Sequence, residues 1–122
     1  MQIVFNEISA AELSRLPTQV QFQLLDAMNI QPSDMDAEAL AARYGILERG
    51  EQRIYRCRAG DYRIYFGIQD GDVRVLRVLS ANSLRDFLFR TNISSGEDEQ
   101  LAKSKHFWQL LDDGAKTLRV VA

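Results

Sequence analysis

Residues 53–66 read RIYRCRAGDYRIYF, placing four arginines and three tyrosines in fourteen positions of a chain whose net charge is −2. Guanidinium groups are permanently charged planar forks that grip the oxygens of phosphates and carboxylates. Arg56, Arg58 and Arg63 together have the chemistry of an anion site. Tyr65 beside them is a candidate proton carrier, provided that the arginines lower a phenol pKa ordinarily near 10.

Whether these side chains meet depends on the turns. Gly60-Asp61 suits a type II′ turn and Asp70-Gly71 a type I′ turn, the two tightest hairpin connections. They predict strands over about 52–59, 62–69 and 72–79. A two-residue turn fixes register, so Ala59 opposes Tyr62, Arg58 opposes Arg63, Cys57 opposes Ile64, Arg56 opposes Tyr65 and Tyr55 opposes Phe66. One face then carries Tyr55, Cys57, Tyr62, Ile64 and Phe66, and the other Arg56, Arg58, Arg63 and Tyr65. Across the second turn, Ile68 opposes Val73 and Phe66 opposes Val75 on the apolar face, and Arg74 joins the arginines. Arg77 fits badly: the same register sets it against Ile64 on the core side, to lie at the sheet end, reach past it to solvent or pair with an acid such as Asp86. The facing arginines Arg58 and Arg63 cost stability. The plain alternative to an anion site is a solvated outer sheet face.

Around this meander, QIVFN reads as a short strand and SAAELSRL as a helix, with Ser9 as N-cap and Glu12 completing a capping box. Pro17 suits the first turn of a second helix, with Val20, Phe22, Leu24, Leu25 and Met28 spaced for a partly buried face. These two helices are expected to form a helical hairpin, followed by a short helix ending near Gly45. SANSLRDFLFRT reads as a helix. SSGEDEQLAKSKHFWQLLDDG reads as another, with a cap at Ser94 and a stop at Gly114. Its stripe of Leu101, Phe107, Trp108 and Leu111 is expected to pack within the chain rather than bind a partner. The last residues, AKTLRVVA, give no clear element.

The fold class is therefore α+β: an N-terminal strand and helical hairpin on a small antiparallel sheet, with a C-terminal helical extension. Residues 1–92 form the expected domain, and 93–122 the extension packed on it.

The composition, 46% hydrophobic and 26% charged, is that of a globular protein, and no run is long and apolar enough for a membrane span. MQIVFNEIS lacks the pattern of a signal peptide, and a single cysteine excludes an internal disulfide, so the expected compartment is the cytoplasm. Cys57, on the core side, reads as an inert thiol and His106 as a surface or packing residue. One Cys and one His make a zinc site an unsuitable reading. Charge is uneven: −5 over residues 1–48, +4 over 49–90 and −1 over 91–122. Positive charge confined to strands suggests a defined anionic target rather than a general nucleic-acid tail.

A strand, a helical hairpin and a meander containing YRCRAGDYRIYF and DGDVRVLRVL resemble the RelE/ParE toxin superfamily of bacterial toxin–antitoxin systems, over about residues 1–90. The resemblance implies a toxin that binds RNA on the ribosome and cleaves mRNA there without metal or other cofactor. An acidic antitoxin that covers the basic face would be its partner. Cleavage in RelE-like members proceeds by attack of the RNA's own 2′-hydroxyl. The basic positions of that family fall on Arg56, Arg58 and Arg63, with Tyr65 as a fourth candidate catalytic residue. Arg56, Arg58, Arg63, Arg74, Arg85 and Arg90 are the implied RNA- or phosphate-binding set. This chain departs from the RelE pattern after the last strand: Ser80, Ala81 and Asn82 stand where a basic pair is usual, and Phe87 where a tyrosine is. Arg85 and Arg90 are the residues available to compensate. The departures bring forward two alternatives, a ParE-like inhibitor of DNA gyrase and a non-catalytic member that binds RNA or protein.

Overall fold

The structure, a computed structural model, describes residues 2–31, 36–80, 97–115 and 118–120. Both central turns form as their residues require. Gly60 takes a positive φ of 57°, the demand of the first position in a type II′ turn. Asp70 and Gly71 are both left-handed, as type I′ needs. The strands they join are β3 (Gln52–Ala59), β4 (Tyr62–Gln69) and β5 (Asp72–Ser80). All five pairs expected between β3 and β4 are present, as are Ile68 with Val73 and Phe66 with Val75.

The sheet is larger than expected and mixed. Its order is β2-β3-β4-β5-β1-β6, with β1 (Ile3–Asn6) parallel to β5. Strand β2 (Gly45–Arg49) turns into β3 at Gly50-Glu51, so residues expected to follow a helix form a third hairpin. Strand β6 (Leu118–Val120) pairs antiparallel with β1. Helices α1 (Glu7–Ser14), α2 (Thr18–Ala27) and α3 (Ala37–Arg43) precede the meander. The expected C-terminal helix is two, α4 (Glu97–Ala102) and α5 (Lys105–Ala115). Ser104 starts the second, its hydroxyl accepting the Phe107 N–H at 3.2 Å. Gly114 lies inside α5 rather than after it. The expected helix over SANSLRDFLFRT, with Arg85, Asp86, Phe87 and Arg90, and the Ser94 cap lie outside the described residues.

Both faces of the sheet are covered. On one, Ile64, Phe66, Tyr55, Cys57, Val73 and Val75 pack with Leu24, Met28 and Leu40 of the N-terminal helices. On the other, Leu47, Ile54, Tyr65 and Leu79 pack with Leu101, Phe107, Trp108 and Leu111 of α4 and α5. Phe22, expected on the buried side of α2, is 68% exposed.

A β-bulge corrects the placement of Arg77. Between Phe66–Val75 and Tyr65–Arg77 the register slips by one residue, leaving Leu76 as the extra. Beyond it every β5 side chain changes face, so Val78 opposes Ile64 and Arg77 opposes Tyr65. The start of α1 is built around this bulge. Asn6, not Ser9, is the N-cap, and Ser9 completes the capping box from the third helical position. The Asn6 amide also donates to the Leu76 carbonyl at 2.9 Å, and the Ser9 hydroxyl to the Val75 carbonyl at 3.0 Å. Glu12, released from capping, takes Arg77 in a two-pronged ion pair, with Nη2 to Oε2 at 2.6 Å. Its other oxygen accepts the Val78 N–H at 3.0 Å, beyond the last pair of β1 with β5.

Candidate functional site

The hairpin register places Arg56, Arg58, Arg63 and Tyr65 on one face, but the side chains meet different surroundings. Tyr65 is completely buried, its ring 5.0 Å from that of Phe107 in an edge-on contact. Arg63 is 8% exposed and folds back on its own turn, donating from Nη1 to the Gly60 carbonyl at 3.1 Å. Arg56 forms a bidentate pair with Asp98 of α4, at 2.9 and 3.0 Å. Gly45 lies directly beneath that pair: a Cβ there would run into both the Arg56 guanidinium and the Asp98 carboxylate. Arg58 is exposed at the rim. Arg74 is set apart, opposite Gly67, about 13 Å along β4 from the row of Arg63. Its Nε is buried with no hydrogen-bond partner among the described residues.

The layer that covers this face is a core. Leu101, Phe107, Trp108 and Leu111 are each at most 1% exposed. Burying four such side chains is worth on the order of 6–12 kcal/mol before entropy, comparable with a whole domain's net stability. Trp108 is tied further, its indole N–H donating to the Ala102 carbonyl at 2.7 Å and Arg49 lying 4.7 Å over its ring. Those side chains form one cluster with Leu47, Ile54, Tyr65 and Leu79 of the sheet. The expected intrachain packing of this stripe is what the structure shows.

The arginines instead open sideways, at the edge of the sheet. A cleft of about 310 Å³ is lined by Arg43, Arg56, Arg58, Tyr44, Cys57 and Ala27. Arg43, the last residue of α3, donates to the Asn29 carbonyl at 2.8 Å and the Ala27 carbonyl at 3.3 Å, capping the end of α2. It also lies 5.2 Å over the Tyr44 ring. Burial pushes the Cys57 thiol above its ordinary pKa, with Arg43 and Arg56 opposing that rise. Arg53, exposed and away from the cleft, is held charged first by Tyr55 and then by Glu48. His106 is exposed on α5. Among the described residues no cluster suits a metal ion, and no helix is long and apolar enough to cross a membrane.

Arg43 and Asp98 were not visible as site residues in the sequence. Arg43 sits among ordinary helix residues, and the partner of Asp98 is 42 positions away. Neither leaves a local pattern.

A search of the curated proteins finds no match to the chain. Residues 12–84, more than half of it, match the family described as the ParE toxin of type II toxin–antitoxin system, parDE. The match takes in the end of α1, α2, α3, the meander and the bulge, and a cognate antitoxin is the partner that this type of system implies. The arginine-bearing meander and the match over it agree: the chain belongs to the RelE/ParE superfamily, as a toxin of a type II toxin–antitoxin system.

Proposed function

We propose that this toxin acts by binding its target rather than by cutting RNA, with ParE-like inhibition of DNA gyrase as the activity. The observation that carries this reading is the burial of Tyr65 beneath Phe107. Cleavage through the RNA's own 2′-hydroxyl needs a group to take or give a proton within hydrogen-bond reach of the substrate. Arginine stays protonated and cannot be that base. Tyr65, the candidate carrier in the hairpin, has no surface with which to meet a substrate. The family match, whose description is that of a ParE toxin, supports the same side.

A second reading, RelE-like cleavage of mRNA on the ribosome, is favoured by the register that aligns Arg56, Arg58 and Arg63. Both readings place the target in the cytoplasm. One preparation tests both. Supercoiling by gyrase is expected to fall with added protein, and labelled mRNA on programmed ribosomes to stay intact. Ribosome-dependent cuts that disappear in Arg63→Ala, with gyrase unaffected, would overturn the proposal in favour of cleavage.

A further inference from the structure

Gly45 of β2 stands opposite Arg56 of β3, and Arg56 opposite Tyr65 of β4, in the row that α4 and α5 cover. With no side chain at position 45, the Arg56 guanidinium crosses over β2 and reaches Asp98 of α4. A Cβ there would meet Nη2 of Arg56 and Oδ2 of Asp98 alike, so the ion pair occupies the place a side chain would take. Among the described residues the glycines with a positive φ are Gly50, Gly60 and Gly71. What Gly45 supplies is therefore room rather than backbone freedom.

The Asp98 carboxylate is presented by an anchored helix. Leu101, three positions along α4 and so on the same side of it, is fully buried in the core that includes Leu47 of β2. The two carboxylate oxygens take Nε and Nη2 of Arg56 at 2.9 and 3.0 Å, with the two side chains 19% and 23% exposed. A phosphate would grip an arginine fork in the same two-pronged way. A carboxylate tethered within the chain acts at an effective concentration of about millimolar or higher, which a phosphate in solution must outcompete. Arg56 also lines the cleft with Arg43 and Arg58, and none of the six lining residues is an acid. Asp98 thus acts on the cleft from outside its walls. A phosphate entering meets an Arg56 whose fork is filled and whose charge is already balanced.

We propose that Asp98 is a specificity-determining residue: by filling the Arg56 fork it keeps nucleic-acid phosphate out of the arginine-lined cleft. The inference concerns the chain alone and stands whichever target the toxin binds.

The test titrates a fluorescently labelled twelve-residue thymidine oligonucleotide with the full chain, following anisotropy at several salt concentrations. Asp98→Asn is expected to bind at least tenfold more tightly than wild type. Its log–log salt dependence is expected to steepen by about 0.7, the mark of one more phosphate held on a single strand. Glu99→Gln removes the same charge from an exposed neighbour on α4 and is expected to change binding less than twofold. Asp98→Asn/Arg56→Ala is expected to return to the wild-type level. Gly45→Ala displaces the pair and leaves every charge in the chain, and is expected to gain at least threefold. Thermal melts and Trp108 fluorescence report whether the C-terminal layer stays in place, and Gly45→Ala decides the matter if Asp98→Asn loses its fold. Three outcomes would each overturn the proposal: no gain in a folded Asp98→Asn, an equal gain in Glu99→Gln, or a gain that survives in the double variant. If Asp98→Asn unfolds, no gain in Gly45→Ala would do the same. Growth arrest on induced expression is scored separately: its absence counts against the toxin reading and leaves this one to the titration.

Discussion

The Glu12 carboxylate holds three donors at once: Nε and Nη2 of Arg77 and the main-chain N–H of Val78. Both side chains are about one-sixth exposed. Removing one partner of such a pair strands a desolvated charge, whereas replacing both by apolar groups need not. Glu12→Ala is therefore expected to cost about 2–4 kcal/mol in urea unfolding. The double variant Glu12→Leu/Arg77→Met is expected to recover most of it, and equal losses in both would refute this account. Cys57 makes a different prediction. Its thiol is raised in the folded protein, chiefly by burial. Above the ordinary thiol value of 9.0 the unfolded chain gives up a proton that the folded chain keeps, so this contribution to stability is full below that pH and lost above it. Wild type is expected to lose more stability than Cys57→Ala between pH 8 and 10, and thiol labelling at pH 8 to be slow until denaturant is added. Parallel pH curves would show that the thiol is not desolvated.

Among the elements, α5 is positioned by one close approach. At Gly114 a Cβ would lie 2.9 Å from the Leu76 carbonyl and 3.0 Å from the Asn6 amide, so α5 touches the bulge at the point where α1 is capped. Gly114→Ala is expected to cost about 1–3 kcal/mol through overpacking, despite alanine's better helix propensity. A stabilised variant in thermal melts would show that the helix end can move. The legibility of these elements follows from range. Gly60-Asp61 and Asp70-Gly71 state their turns in two residues, so the register of β3 and β4 and the first half of β5 could be read directly. Gly50-Glu51 carries the same leading glycine, but GILER, just after a helix expected to end near Gly45, offers a single buried residue, Leu47. The bulge at Leu76 was illegible because nothing in DVRVLRVLS marks it. Its cause is the carbonyl-binding set of Asn6 and Ser9, some seventy residues upstream. The arginine face was read correctly as a face and incompletely as a surface, because what covers it is decided by helices thirty residues further on.

At the scale of the molecule, one sheet serves two cores. Trp108, the chain's single tryptophan, lies in the core with α4 and α5 together with Tyr65, and Tyr44 and Tyr55 lie in the other, so in a Tyr65→Phe variant the buried tyrosines report on that other core. Because β3, β4 and β5 contribute side chains to both, the two cores share one wall. Tryptophan fluorescence and tyrosine near-ultraviolet dichroism are expected to change together in urea, at one midpoint. Separate midpoints would mean that the C-terminal layer melts on its own. The order of synthesis gives that layer a further consequence. The meander is complete at Ser80, but its covering helices are made from Glu97 onward, so at about 5–20 residues per second the nascent sheet waits a few seconds half-dressed. In that interval Tyr65, Ile54 and Leu79 face water, and Arg56 lacks the carboxylate that later quiets it.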